Sequence, residues 1–406
     1  MHLKGRIFKS FAALLGSVLL SLYGAAGYFS LRLPDRLTAE IGEEVVLAEY
    51  PEITCASVKY NHDNSCVYPD TQEAMLTLFG AIPIKNIEIH EEEAPTLAVG
   101  GFPFGIKLLM DGVMITSLGE FYDISGESVC PARDSGLLVG DIIQLVDMMP
   151  VTSNSQLHDI IANSGGRPIK INVNRDGHEF IAYLEPVWSE EHGCWAGGMW
   201  VRDSIAGIGT VTFVNVETGD FAGLGHPVCD SDTGSIVTIS SGEAVPVEIT
   251  EVKSGEKGVP GELHGKFVGE PALGSLIRNN ECGVFGVLSE AACGELQTSG
   301  ELYKMAYRQE VRTGKAEILS TISGTVPQRF EIEIESVDYS STGSKNMVIR
   351  ITDDELLEAS GGIVQGMSGS PIIQDGKLVG AVTHVFVADP TKGYAIFAEN
   401  MAEYLN

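Results

Sequence analysis

The sequence predicts a mostly β protein held on an N-terminal transmembrane helix, with a small α+β domain ahead of a C-terminal β-barrel domain. Three observations carry this prediction. Residues 10–31 are 22 positions without a charge, enough to cross a hydrocarbon core of about 30 Å as a helix. Residues 100–187 mix strand-like and helix-like periodicity around Gly-Asp and Asp-Gly breaks. Beyond residue 188, short β-branched runs recur between glycines, the pattern of a barrel or sandwich.

A chain of 406 residues exceeds one ordinary domain. Its 55 acidic and 26 basic residues give a formal charge of −29. Such a surface repels phosphate, which excludes nucleic acid as a partner class. The seven cysteines include no C-x-x-C pair, so a structural zinc site is not expected. The spacings of Cys55 with Cys66 and of Cys282 with Cys293 allow bridges, and buried free thiols are the equal alternative.

Lys4, Arg6 and Lys9 precede the apolar stretch, and the positive-inside rule keeps such a flank cytoplasmic. Everything after Arg32 is then extracytoplasmic. The length of the stretch favours an uncleaved membrane anchor, with a signal peptide cut near residues 24–26 as the alternative. Residues 32–99 read as a β-rich segment and connector, with strands at 44–49 and 82–90 and a polar loop at 61–65. No role is assigned to this segment.

From residue 100, G-G-F-P-F-G opens a loop before an apolar strand at 106–110. The Asp111-Gly112 pair predicts a hairpin to a second strand at 113–118. P-A-R-D-S-G-L-L-V-G-D-I-I, residues 131–143, reads as a helical turn, a break and a buried strand. Residues 155–163 fit an amphipathic helix with Leu157, Ile160 and Ile161 on one face. Strands at 169–175 and 179–184 close around Asp176-Gly177. This order resembles PDZ domains of bacterial membrane-associated proteases. The resemblance implies a groove between strand 106–110 and helix 155–163, where a peptide ligand adds as a strand. Backbone N–H groups around Phe102, Phe104, Gly105 and Ile106 would receive its terminal carboxylate. A small spacer domain without a ligand is the alternative.

The remaining chain holds two segments with chemical content. One is G-L-G-H-P-V-C-D, residues 223–230; the other is G-G-I-V-Q-G-M-S-G-S-P, residues 361–371. A serine flanked by glycines sits on a tight turn that frees its hydroxyl. The same turn aims the N–H groups of Gly366 and Ser368 at one point, where they can hold an oxyanion. The pattern resembles the nucleophile turn of chymotrypsin-like double-barrel proteases. Ser370 is the rival nucleophile, in a slot usually filled by a structural small residue.

A serine needs a base to take its proton. Of His192, His226, His264 and His384, only His226 sits in a Gly-rich turn, while His384 in A-V-T-H-V-F-V reads as a packed core residue. For the acid, the residues leave Asp230, Asp232, Asp353 and Asp354 open. A base with the ordinary histidine pKa of about 6.5 gives activity that rises through neutrality.

The anchor, the PDZ-like region, M-W-V-R-D-S-I-A-G-I-G-T-V-T-F at 199–213, I-T-D-D-E-L-L at 351–357 and the two segments above together resemble the SpoIVB peptidase family of spore-forming bacteria. The resemblance implies a serine endopeptidase acting between the forespore and mother-cell membranes. It implies self-cleavage near the N-terminus and cleavage of a membrane-bound regulator of an intramembrane protease, which activates sigma K. It places the triad on His226, Asp353 and Ser368 and calls for no metal or organic cofactor. Two other readings stay open: a tethered PDZ adaptor with an inactive protease-like domain, and an envelope quality-control protease.

Overall fold

The computed structural model describes residues 2–57, 71–175, 177–268 and 271–405. The loop expected at 61–65, Cys66 and the Asp176 turn position lie outside them.

Two closed six-stranded rings form the body. In the first, Pro103–Leu118 pairs with Ile239–Lys253, then Gly274–Asn280, Gly283–Leu288, Asp220–Gly223 and Met199–Val214, which returns to Pro103–Leu118. The second runs Gly314–Ser320, Gln328–Val337, Met347–Ile351, Asp389–Phe397, Lys377–Phe386 and Pro371–Gln374. Period-two patterning explains why such segments close. Along Gln328–Val337, Phe330, Ile332 and Ile334 are buried. The alternating Glu333 and Glu335 face outward, where Arg350 and Lys392 pair with them.

Between the two long strands of the first ring the chain makes an excursion that packs around its own core of Val113, Ile143, Leu157, Ile171 and Leu184. The helix Asn154–Ala162 is capped by Ser153, whose hydroxyl accepts from Gln156 N–H, and it buries Leu157 and Ile161. The strands Ile142–Val146, Ile169–Arg175 and His178–Leu184 follow the sequence expectation.

Three expectations for the first half of the chain do not hold. Residues 106–110 and 113–118 are not two arms of a hairpin but parts of one strand, Pro103–Leu118. Gly112 takes φ 119° there, and both flanks pair with the same Met199–Val214 strand across a register shift. Long-range pairing overrides the local Asp-Gly turn signal. Consequently the loop expected to receive a carboxylate is inside the first barrel. Phe104, Gly105 and Ile106 lie between Met199–Val214 on one side and Ile239–Lys253 on the other, so no strand edge is open for a peptide there. The helix Asn154–Ala162 packs instead beside Cys194–Ala196 and Met199–Val214. Finally, no strand forms at 44–49, where only Val46 bridges to Thr54.

The N-terminal segment is a four-stranded sheet ordered Arg36–Glu40, Ile82–Glu92, Thr71–Leu78, Ile53–Ser57. It is no loose connector. Leu37, Leu47, Leu76 and Ile87 share one core with Phe330, Ile349 and Phe397 of the second barrel. The helix His2–Arg32 docks on the same core through Leu22, Ala25 and Phe29, and Phe29, Tyr50 and Tyr339 stack edge-on at 5.2 and 5.9 Å. Ala13–Arg32 is long and apolar enough to cross a membrane. Every described cysteine is a free thiol, so Cys282 and Cys293 form no bridge.

Where sheet and second barrel meet, the buried Arg308 guanidinium donates to Glu399 at 3.1 Å and to Asn400 at 2.9 Å. Glu399 also accepts from the Arg308 N–H. Glu399→Ala leaves that guanidinium uncompensated. It should lower stability by about 3 kcal/mol, read as a fall in denaturant midpoint, while Glu399→Gln should recover part of the loss.

Candidate active site

The segment after the strand Asp220–Gly223 turns sharply. Leu224 and Gly225 have φ of 67° and 70°, and a Cβ on Gly225 would sit 2.8 Å from side chains of both Ile396 and Thr383. Only glycine passes between those second-barrel side chains. His226 follows immediately, delivered from the first barrel to the face of the second. Asn279 holds the onward loop by accepting from Val228 N–H and donating to the carbonyls of Val228 and Val237.

The ring Nδ1 of His226 lies 2.8 Å from the Pro227 carbonyl oxygen. A carbonyl only accepts, so neutral His226 carries its proton on Nδ1 and leaves Nε2 as the basic lone pair. Burial pushes its pKa below the ordinary 6.5, and the carbonyl contact offsets this in part.

Ser368 is presented by a turn wedged against the first barrel. Its carbonyl accepts from Thr210 N–H at 3.0 Å, and the Thr210 hydroxyl donates to the Gly366 carbonyl at 2.9 Å. Gly366 and Gly369 have φ of 99° and 96°. A Cβ on Gly369 would come within 2.0 Å of the Thr210 carbonyl oxygen and 2.6 Å of Leu224 N. Both are backbone atoms, so no side-chain shift relieves the clash. Within this turn the N–H groups of Gly366 and Ser368 have no acceptor among the described residues. That leaves two donors for a developing oxyanion.

Ser368 and His226 line one cleft of about 660 Å³ between the barrels, together with Gly366, Thr383 and His384. In this resting arrangement the Ser368 hydroxyl donates to the Thr383 carbonyl at 2.7 Å. A rotation about χ1 is therefore needed before His226 Nε2 can take its proton. Ser370 is fully buried and donates to Ser320 at 3.0 Å, a structural contact outside the cleft.

The carboxylates expected near His226 are not brought to it. Asp353 caps the helix Asp354–Ser360: one oxygen accepts from Leu356 N–H at 3.0 Å and the other from Glu331 N–H at 3.2 Å. It does not line the cleft. Asp230 and Asp232 are clamped by Arg202, and Asp354 lies in the first turn of that short helix.

What reaches His226 instead is His384, with ring centroids 4.8 Å apart and planes tilted by 41°. Burial first, then His226 and Lys345, push its pKa down to about 4. Among the described residues its buried Nδ1 has no partner. His384 was expected in the core. The ladder with Asp389–Phe397 shifts register between Val382 and His384, so regular alternation is broken just before His384 meets the cleft, and nothing local in A-V-T-H-V-F-V marks the break. His192 bonds Ser189, and His264 lies beside Glu262 at the surface.

Two outcomes follow. His226 must be neutral to act as a base, so activity is present above its folded pKa and lost as pH falls through it. Because burial lowers that pKa, the acid limb of kcat/KM should lie below pH 6.5 instead of rising through neutrality. A midpoint at or above 6.5 would contradict the burial. Asp353→Asn keeps a helix cap of equal quality and should retain turnover within a few-fold. A carboxylate that orients the base would instead show a loss of about 10⁴ on the same change.

No curated protein sequence matches the chain. Residues 193–402, which carry the His226 and Ser368 turns, match the family described as SpoIVB peptidase S55. With that match spanning half of the chain, and both turns opening onto one cleft between two barrels, the protein belongs to the SpoIVB peptidase family.

Proposed function

We propose that this peptidase is a serine endopeptidase in which Ser368 is the nucleophile and His226 its base. The observation that carries the reading is the meeting of Ser368, His226 and two unpaired N–H groups in a single cleft. In the acylation step the Ser368 oxygen attacks a peptide carbonyl while His226 Nε2 takes the hydroxyl proton. The carbonyl oxygen, now negative, is held by the N–H groups of Gly366 and Ser368. The imidazolium then gives its proton to the leaving amine, and water releases the acyl group by the same steps in reverse. The Pro227 carbonyl fixes the tautomer, the task a carboxylate performs in the usual triad. Unlike a carboxylate it brings no full charge to the imidazolium, so the proton-bearing state is stabilised less.

The physiological reading rests on the family. Its members' role in sporulation, the apolar helix Ala13–Arg32 and the acidic body support an enzyme anchored outside the cytoplasm. Its substrates would be itself and a membrane-bound regulator of an intramembrane protease upstream of sigma K. The α/β excursion has a PDZ-like sequence pattern, but with both sides of 104–110 already paired it is read as a structural insert of the first barrel and not as a peptide-binding unit.

Ser368→Ala should abolish both hydrolysis of a peptide substrate and labelling by a fluorophosphonate. His226→Ala should lose as much turnover, and the double variant no more, because the two act as one unit. Mass spectrometry of the same preparations should find N-terminal fragments in the wild type and none in Ser368→Ala. Labelling that survives Ser368→Ala would remove the nucleophile assignment.

A further inference from the structure

The N-terminal sheet carries an apolar hairpin that the peptidase reading leaves unused. Residues 74–84, A-M-L-T-L-F-G-A-I-P-I, hold no charge between Glu73 and Lys85. They form the end of Thr71–Leu78, a turn, and the start of Ile82–Glu92. At the tip Phe79 is 66% exposed, with a φ of 54°. A lone phenylalanine left in water at a turn forgoes the stabilisation that burial of its ring would bring.

The position of this tip relative to the helix gives it a partner. Arg36–Glu40 runs parallel to Ile82–Glu92, with Arg36 level with Glu88. Lys85 donates to the Leu33 carbonyl and to Asp35, which fixes that strand at the end of the helix. From Lys85 the strand continues backwards to Ile82 and the tip, about 3.3 Å per residue. It runs alongside the helix, which packs on it. The docked stripe Leu22, Ala25, Ala26 and Phe29 occupies the last three turns of the apolar span Ala13–Arg32. Whatever packs on that stripe lies at bilayer depth if the helix spans. Away from that stripe the helix leaves Leu20, Tyr23, Tyr28 and Leu31 exposed, as lipid contact requires. Above them the Arg32 guanidinium lies 5.2 Å from the Tyr28 ring centroid, an arrangement suited to the headgroup level.

We propose that the 78–82 hairpin tip enters the interface of the same bilayer, as a second contact that fixes how the catalytic cleft faces the membrane. This rests on the reading of Ala13–Arg32 as a membrane span. Penetration stops at the interface, because the turn carbonyls that accept no internal bond need water. Half-buried Glu52 meets the tip through its carbonyl, which accepts from Phe79 N–H at 2.8 Å.

The test uses the full chain in phosphatidylcholine–phosphatidylglycerol vesicles containing lipids brominated at defined depths. Phe79→Trp and Leu20→Trp are each compared with the wild type, whose three tryptophans supply the baseline. Added emission from position 20 should be quenched by deeply brominated lipid. That from position 79 should be blue-shifted and quenched most by shallow bromines. Quenching at position 20 without any at position 79 overturns the hairpin proposal and leaves the span standing. A tip covered by a second copy of the chain gives that same pattern, with a blue shift but no bromine effect. No quenching at either position overturns the span, and the proposal with it.

Discussion

Thr210 is the residue on which the two barrels are registered. Its N–H, hydroxyl and carbonyl all face the neighbouring turns: the first two bond the Ser368 and Gly366 carbonyls, and the third accepts from Leu224 N–H at 3.2 Å. One residue of the first barrel thus holds the Ser368 turn and the turn before His226 at once. The close approach is possible only because Gly369 lacks a side chain. Placing two groups from different domains within reach of one substrate atom is worth several kcal/mol of barrier when the geometry is rigid. Here the rigidity comes from backbone bonds, which few side-chain changes can loosen.

The second barrel is braced from its other side by the N-terminal sheet. The two share one apolar core, and the turn Arg308–Glu310 links them, with Gln309 donating to the Thr38 carbonyl of the sheet and Arg308 to Glu399 just beyond the last barrel strand. Helix, sheet and barrel therefore form a single stack, without a free linker between the apolar helix and the two barrels. Under the proposed membrane span, orientation over the bilayer is then a property of packing, not of tether length.

Local constraints made the chemistry legible in the sequence. Glycines around Ser368 and before His226 are there because positive φ and backbone contact demand them, and both demands show in a short window. The helix expected at 155–163 was legible for the same reason, since its apolar face lies within one segment, and it forms one residue earlier, at Asn154–Ala162. What was not legible depended on distant partners. The Asp111-Gly112 pair carries a strong turn signal, yet the strand Met199–Val214 claims both of its flanks. The same pairing, with Ile239–Lys253 on the other side, removes the peptide edge expected along 106–110. Asp353 was read as the acid by resemblance, but its carboxylate is engaged by Leu356 and Glu331. His384 was hidden because the register shift between Val382 and His384 is set by the partner strand Asp389–Phe397 and leaves no mark in the local sequence.

The first barrel is sewn from segments on both sides of the α/β excursion. Its strand Pro103–Leu118 lies about ninety residues ahead of the family match at 193–402. The evolutionary signature and the cooperative folding unit therefore have different borders. A fragment trimmed to the signature would lack one stave. It would expose the facing rows of backbone donors and acceptors on Met199–Val214 and Ile239–Lys253, the kind of open edge that recruits foreign strands. Recognition of the family by sequence thus delimits its chemistry but not the smallest piece of chain able to stay soluble.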